Sequence, residues 1–186
     1  NPSVIELWNL VFIQFYRGDD GALTQLPNKH VDTGMGLERV ARVIQGKSSN
    51  YDTDLWQPIF KSIESITGAR PYNGELEDHI DIAYRVLADH ARCLVVALAD
   101  GGRPGAAGRE YVLRRILRRG VRHACQTLGV SGPLLCKLVP SVVETLGETF
   151  PEIKSQASTI KTIIQDEEES FLKTLDRGLE LFAKAA

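Results

Sequence analysis

Three stretches of the chain carry residues whose types and spacing suggest chemistry. In the first, Asn9 and Asp32 are polar residues set within otherwise apolar, strand-like runs. A carboxylate placed in a core costs several kcal/mol unless it is paired, so Asp32 requires a cation or donors beside it. A bound ammonium group is one such partner. A structural role stands beside this reading: Asp32 can cap the following helix through the amides of Thr33 or Gly34, and Asn9 can be a satisfied core amide.

In the second stretch, Thr33-Gly34-Met35-Gly36 precedes a helical repeat. A glycine turn opening a helix offers backbone amides and a positive dipole end to an anion such as phosphate, with Arg39 one turn further in. Two glycines before a helix more often mark only a tight turn. The combination is more specific than either part: an interrupted strand, an acidic strand end, a glycine turn and an arginine.

The third stretch is strongly basic, with seven arginines between Arg103 and Arg122 opposed only by Glu110. On a helical wheel of residues 109–128, Leu113, Leu117, Val121, Ala124 and Leu128 gather on one side. Arg114, Arg115, Arg118, Arg119 and Arg122 cover the other. Such a face either grips phosphates or forms a solvated, salt-bridged surface. Like charges within one turn repel, and no acid lies among these five, which weighs against internal pairing. Arg103 lies within, and Arg109 directly follows, a glycine-rich loop, 101–108, that can approach a nucleic acid backbone closely.

The elements that position these residues can be read from periodicity. Residues 4–16 are β-branched and aromatic, with Ile5, Leu7, Val11, Ile13 and Phe15 forming an apolar face that Asn9 interrupts. Gly18-Asp19-Asp20-Gly21 predicts a hairpin turn, followed by a short strand ending near Val31 and Asp32. Leu37, Val40, Ala41 and Ile44 then predict a helix stopped by Gly46. Asp52 is expected to cap a second helix with Leu55, Ile59, Ile63 and Ile66 on one stripe and Gly68 at its end. Beyond it, helices are predicted over 78–100, 109–128, 133–147 and 155–184, the last with Ile160, Ile164, Phe171, Leu175, Leu179 and Phe182 on one side. The fold class is therefore α+β: an antiparallel hairpin or sheet followed by a mainly helical region. The expected domains are 1–68 and 69–186, with the boundary somewhere between Asn50 and Asp78.

Composition bounds the remaining possibilities. With 43% hydrophobic and 25% charged residues, the chain is an ordinary globular one, and no apolar run is long enough for a membrane span. Cys93, Cys125 and Cys136 form no CxxC pair and have no His at metal-ligand spacing, which predicts no metal site and buried thiols in a reducing compartment. The net charge of −2 hides a segregation of charge, because an acidic run at 166–169 balances the arginines. The chain opens at Asn1 directly in a strand-like run without a targeting segment, and reads as cut from something longer.

The stretch Ile5-Glu6-Leu7-Trp8-Asn9-Leu10-Val11-Phe12, followed by Val31-Asp32-Thr33-Gly34-Met35-Gly36-Leu37-Glu38-Arg39, resembles the end of the catalytic domain of alanyl-tRNA synthetases, including class II motif 3. Residues 49–54, 85–90 and 111–119 are similar to later stretches of that family, so the resemblance runs essentially end to end. It implies a class II catalytic domain ending in the first part of the chain, then helices that receive the tRNA acceptor stem. It implies a reaction in which alanine and ATP give alanyl-adenylate, with transfer to the 3′ end of tRNA(Ala), in the cytoplasm or in a mitochondrial form. Asn9 and Asp32 match alanine-binding positions, Asp32 taking the substrate ammonium. Leu7, Trp8 and Gly36, together with Asn9, match positions lining the ATP site. Arg39 matches the catalytic arginine that contacts the nucleotide phosphates, and Mg2+ is expected to accompany ATP. The arginines at 103, 109, 114, 115, 118, 119 and 122 become tRNA-binding candidates.

Family features outside this sequence are motifs 1 and 2 and the editing domain with its zinc site. The isolated chain is accordingly expected to be inactive. The loop asparagine that often contacts a G·U wobble pair is replaced here by the Ala106-Ala107 stretch, and Glu110 stands where a glycine is common. Two other classes of function fit the same residues: an acceptor-stem binding module without chemistry, and a helical scaffold whose basic face meets an acidic protein.

Overall fold

In a computed structural model, which describes residues 4–185, the chain divides into two compact units, Asn1–Thr53 and Asp54–Ala186. The first holds an antiparallel hairpin of β1 (Trp8–Arg17) and β2 (Leu23–Met35), then helix α1 (Leu37–Ile44) and a 3₁₀ turn at Asn50–Asp52. The expected turn is present. Gly18 accepts from the Gly21 amide at 2.9 Å, and Gly21 adopts φ 80°, a conformation costly for any residue with a Cβ.

Two features of the hairpin differ from the expectation. β2 is longer than the short strand predicted and continues through Gly34 and Met35, neither Gly34 nor Gly36 has positive φ, and the Gly36 amide donates to Leu7 O at 3.0 Å. The predicted glycine turn is thus extended strand up to the helix, held there by pairing with β1. The apolar face is also not a core. Every residue of both strands is exposed apart from Leu26, which is half-buried, and Trp8 and Phe12 are 62% and 69% exposed. Within this unit's described residues the hairpin has no second layer to pack against.

Register is regular from Trp8↔Met35 to Ile13↔His30 and again from Phe15↔Gln25 to Arg17↔Leu23. Between these blocks Gln14 alone faces the stretch 26–29, a bulge that contains Pro27. Proline has no N–H for a ladder, and bulges are where strands tolerate it.

The second unit is helical, with a 3₁₀ turn at Asp54–Trp56 and helices α2 (Gln57–Thr67), α3 (His79–Ala99), α4 (Gly108–Gln126), α5 (Leu135–Leu146), α6 (Pro151–Ser155) and α7 (Ala157–Ala185). Its core takes Ile59 and Ile63 of α2, Leu117 of α4, and Ile160 and Ile164 of α7 from the predicted stripes and adds Leu87, Leu94 and Leu98 of α3 and Leu135 and Leu138 of α5, all 1% exposed or less. Each such side chain contributes about 1.5–3 kcal/mol relative to an exposed one. α3 lies at the centre, touching α2, α4, α5, α6 and α7.

Helix ends follow local chemistry. Asp78 caps α3, its Oδ1 accepting from Ile80 and Asp81 amides at 2.9 and 3.0 Å. Gly68 ends α2 in the left-handed region at φ 69°. Asp52 does not cap α2; it lies in the 3₁₀ turn of the first unit, and α2 begins after Trp56 with Pro58 in its first turn. There proline's missing N–H costs nothing. The expected helix over 155–184 is α7, and the short helix α6 before it was not expected; the two part at Gln156, whose Nε2 donates to Ala99 O at 2.9 Å. Only the first half of α7 docks: Phe171 and Leu175 are half-buried, and Leu179 and Phe182 are exposed. Among the described residues no helix is long and apolar enough to cross a membrane.

Candidate functional site

Each unit presents one candidate region. In the hairpin, antiparallel pairing sets Asn9 opposite Gly34 and Val11 opposite Asp32. Directly paired residues share a face, and alternate residues of one strand do too. Asn9, Asp32 and Gly34 therefore lie on one surface, with Leu7 in line. Trp8, Thr33 and Met35 lie on the other, where the Trp8 indole N–H donates to Thr33 Oγ1 and Thr33 donates in turn to Asn9 O at 3.1 Å. The two neighbouring positions matched to the ATP site, Leu7 and Trp8, thus face opposite ways.

Gly34 gives Asn9 room in this arrangement. A Cβ there would lie 3.1 Å from Asn9 Oδ1, so glycine leaves the amide its space. Asn9 Nδ2 donates to Glu6 Oε1 at 3.2 Å. Asp32 Oδ1 accepts its neighbour's amide, Thr33 N, at 2.8 Å. Because the helix starts five residues later, this is a bond within the strand and not a helix cap. Asp32 is exposed, so its carboxylate needs no buried counter-ion and keeps free acceptor capacity.

Arg39, in α1, folds back over Gly36, where a Cβ would meet its side chain at 3.1 Å, and its guanidinium donates to Glu6 O at 2.9 Å. It borders a cleft of about 460 Å³ with Arg42, Glu6 and Asn50. Among the described residues no group of three or more His, Cys, Asp or Glu side chains is placed to hold a metal ion.

The helical unit presents the basic face. α4 turns Leu117, Gly120, Val121 and Ala124 into the core, and Gly120 permits close packing, since a Cβ there would meet Leu135 at 2.9 Å. The arginines on its outer side are not equivalent. Glu167 of α7 accepts from Arg118 Nε at 2.9 Å and lies 2.7 Å from its second nitrogen. Arg114 Nε is 3.2 Å from the same oxygen without hydrogen-bond geometry. Arg118 also stacks on Phe171 at 5.0 Å. Two of the five arginines are therefore ion-paired, by an acid 49 residues away from Arg118 in the chain. Arg115, Arg119 and Arg122, with Arg109 at the helix start, remain exposed.

A cleft of about 550 Å³ runs along this face, bordered by the five arginines from 114 to 122, Tyr111 and His90. A smaller one of about 200 Å³ adjoins it at Arg119, Arg122 and His123. Burial first, then the charges of Arg119 and Arg122, hold the His123 imidazole below its ordinary range, so it adds no positive charge near neutral pH. Across the helix, Arg103 and Arg109 border a third cleft with Cys93 and Glu110. Arg103 donates to Leu98 O and Gly102 O at 3.3 and 2.6 Å, tying it to the end of α3. The loop glycines have local reasons as well: a Cβ at Gly102 would strike Ala97 O at 2.7 Å, and one at Gly105 would strike Glu110 at 2.4 Å. Of the three thiols expected to be buried only Cys136 is; Cys93 is exposed, yet partial desolvation and then the charge of Asp89 push its thiol up, so it is not an activated nucleophile.

Against known proteins, the family model described as "tRNA synthetases class II (A)" matches residues 1–186. The chain belongs to the class II tRNA synthetases. It is 55% identical over 189 aligned residues to the cytoplasmic alanine–tRNA ligase of Caenorhabditis elegans, covering 100% of this chain and 20% of that protein. It is 59% identical to the alanine–tRNA ligase of Chlorobium phaeobacteroides (96% of this chain, 20% of that one) and 57% to the cytoplasmic enzyme of Bombyx mori (97% and 19%). This synthetase chain thus spans about a fifth of the length of the relatives it matches.

Three residues that matter in the synthetase chain are not singled out by sequence. Glu167 is the partner of the basic face. Its neighbour Glu168, 1% exposed, accepts from the Leu134, Leu135 and Cys136 amides at 2.9, 2.8 and 2.9 Å and so closes the start of α5. Burial holds its carboxyl above the ordinary range despite those three bonds. A signal was present, because Glu168 continues the Ile160, Ile164 spacing on the apolar side of α7. The third is His90, one of two histidines of α3, which ends the family-like stretch 85–90 but was given no role there.

Proposed function

We propose that the protein carrying this chain is an alanine–tRNA ligase, which activates alanine with ATP to alanyl-adenylate and transfers it to the 3′ end of tRNA(Ala). The observation that carries the reading is identity of 55% and 59% to alanine–tRNA ligases over 100% and 96% of the chain. In this reading the catalytic part ends within residues 1–68, and residues 69–186 receive the acceptor stem. Asn9 and Asp32 bind alanine, Asp32 taking the substrate ammonium, on the strand face they share with Gly34. Leu7 and Gly36 line the ATP site from the same strand end, and Trp8 contributes from the edge or the reverse face. Arg39 meets the phosphates, where positive charge placed in advance stabilises the charge that develops in adenylyl transfer. Mg2+ travels with the nucleotide. The site of action is the cytoplasm, as the names of two relatives suggest for those proteins.

The helical unit supplies phosphate contacts through Arg109, Arg115, Arg119 and Arg122, with Arg114 and Arg118 as a paired frame and Arg103 beside them. A second reading, an acceptor-stem binding module without chemistry, is favoured by the complete core of that unit. The two separate in an alanine-dependent exchange of pyrophosphate into ATP by the longer protein. Exchange specific to alanine supports the ligase, and its absence in a folded longer protein leaves the module. The 186-residue chain alone is expected to show none, and turnover by it at about 1 to 10 per second, ordinary for an enzyme, would overturn the division of labour proposed here.

A further inference from the structure

One group on the basic face has a charge that is not fixed. Arg119, Arg122, His123 and Gln126 recur at the three- and four-residue spacing that aligns side chains on one stripe of a helix. Together with Thr127 they border the cleft of about 200 Å³ at the end of α4. All five side chains can donate a hydrogen bond, and among the described residues no carboxylate borders this cleft. Its volume is several times the roughly 30 Å³ share of a water molecule, which leaves room for a phosphate. Such a lining suits an anion.

His123 is half-buried, but its ring can be reached. It has no hydrogen-bond partner among the described residues, and neither ring nitrogen is sealed from solvent. Burial first, then Arg119 and Arg122, and last His90 of α3, keep the free imidazole neutral. The helix end acts the other way. His123 lies in the last turn of α4, where its carbonyl accepts from the Thr127 and Leu128 amides at 3.1 and 3.2 Å and the dipole favours a cation. The acids of α7 act elsewhere, Glu168 and Asp176 on Cys125 and Glu167 on Arg114 and Arg118, and α5 meets α4 through Leu135 beside Gly120.

A phosphodiester in the cleft reverses this balance. Its charge offsets those of Arg119 and Arg122, and an opposite charge close by stabilises the protonated ring. We infer that one phosphate of a bound RNA strand sits between Arg119, Arg122 and His123, and that His123 takes up a proton as the phosphate arrives. The proton passes from the buffer to the ring nitrogen that holds the lone pair, the imidazolium donates to a phosphate oxygen, and no bond of the RNA changes. The inference rests on the reading that the basic face binds RNA, and it adds to that reading the position of one phosphate and a linkage to pH. Because the complex holds the extra proton, affinity rises as pH falls. The rise is steepest between the free and bound titrations of His123 and levels off on either side.

The 186-residue chain is titrated with an acceptor-stem RNA hairpin at constant salt between about pH 5 and 8. The hairpin carries a 5′-hydroxyl, because a terminal phosphate monoester itself titrates at about 6. Affinity should rise about ten-fold toward acid, the lower end of what an adjacent opposite charge does to a titrating group. One proton limits the rise to about ten-fold per pH unit. His123→Gln keeps a donor and cannot be charged, so it should abolish the rise. Glu168 also titrates above its ordinary range, and a readout specific to His123 separates the two without a variant. The His123 ring-proton resonance should titrate at higher pH with RNA bound than without. A flat affinity profile, a rise that survives His123→Gln, or an unshifted resonance in an RNA-bound chain overturns this inference and leaves RNA binding standing. No binding of the hairpin at any of these pH values, even at low salt, sinks the RNA reading with it.

Discussion

The hairpin and the helical bundle place functional groups by different means. In the bundle, Arg114 and Arg118 are held by Glu167, and α4 is fixed by Leu117 and Val121 in a shared core. Position there is a product of packing. In the hairpin almost no side chain is covered, and Asn9, Gly34 and Asp32 share a face because backbone pairing puts them there. An isolated two-stranded hairpin is at best marginally stable in water. Substitutions in the bundle should therefore be read mostly as stability, and substitutions on the hairpin face mostly as binding.

The contrast can be broken most directly at Glu168. Glu168→Ala leaves three buried amides at the start of α5 without an acceptor. A loss of about 3 kcal/mol or more is expected, from about 1–3 kcal/mol per unsatisfied group with partial relaxation. Urea unfolding followed by helical circular dichroism measures it. A loss under about 0.5 kcal/mol, typical of surface changes, would mean that packing alone holds α5.

Asp32→Asn is the opposite case: the amide keeps the shape and loses the charge. In the longer protein it should leave thermal unfolding unchanged and weaken alanine far more than ATP. The expected factor is roughly 10- to 150-fold, from about 1.5–3 kcal/mol for a charge-assisted hydrogen bond. Steady-state pyrophosphate exchange at varied alanine checks it. An unchanged alanine dependence would reduce Asp32 to its bond with Thr33.

Within the bundle the two kinds of arginine sharpen the comparison further. Replacing Arg115, Arg119 and Arg122 with Gln should lower the slope of log affinity against log salt by roughly 0.7 to 0.9 for each phosphate no longer neutralised, with no change in unfolding. Replacing Arg114 and Arg118 should change the slope less and destabilise more, because it strands Glu167, which is only 12% exposed. Equal slopes for the two sets would make the ion pairs irrelevant to RNA.

The last effect should be seen near neutral pH and fade in acid. Burial works to raise the Asp81 carboxyl, but the Arg70 hydrogen bond at 2.7 Å and the amides of Glu75 and Asn73 outweigh it and hold it below its ordinary value. A carboxyl depressed on folding stabilises the fold above its unfolded pKa of about 3.9 and loses that contribution as pH falls through the folded value. Asp81→Asn should flatten the acid limb of a stability profile below about pH 4. An unaltered limb would assign acid unfolding to other carboxyls.

These residues also mark how far sequence carries. The turn at Gly18–Gly21, the stripes of α2 and α4 and the helix start near Asp78 were legible because each depends on neighbours within a few positions. The full length of β2 was not, since Pro27 and the polar residues around it argue against a strand and only pairing with β1 overrides them. The partners of the arginines were not legible either. Glu167 and Glu168 act across 49 and 33 residues on Arg118 and Leu135, and a run of acids reads locally as a solvated face. At the candidate alanine site the residue identities were visible, but their exposure and the opposed directions of Leu7 and Trp8 depend on the register.

The bulge of the hairpin lies between its tip and its functional end. From Ile13↔His30 to Trp8↔Met35 the register is set by that block's own pairs, and the extra residues of β2 are absorbed at 26–29. A residue gained or lost in a turn normally shifts every pair along a ladder and exchanges its two faces. Here such a change at the tip meets a slack joint first. A residue inserted at the tip is therefore expected to be taken up at the bulge, leaving Asn9, Asp32 and Gly34 facing the same way.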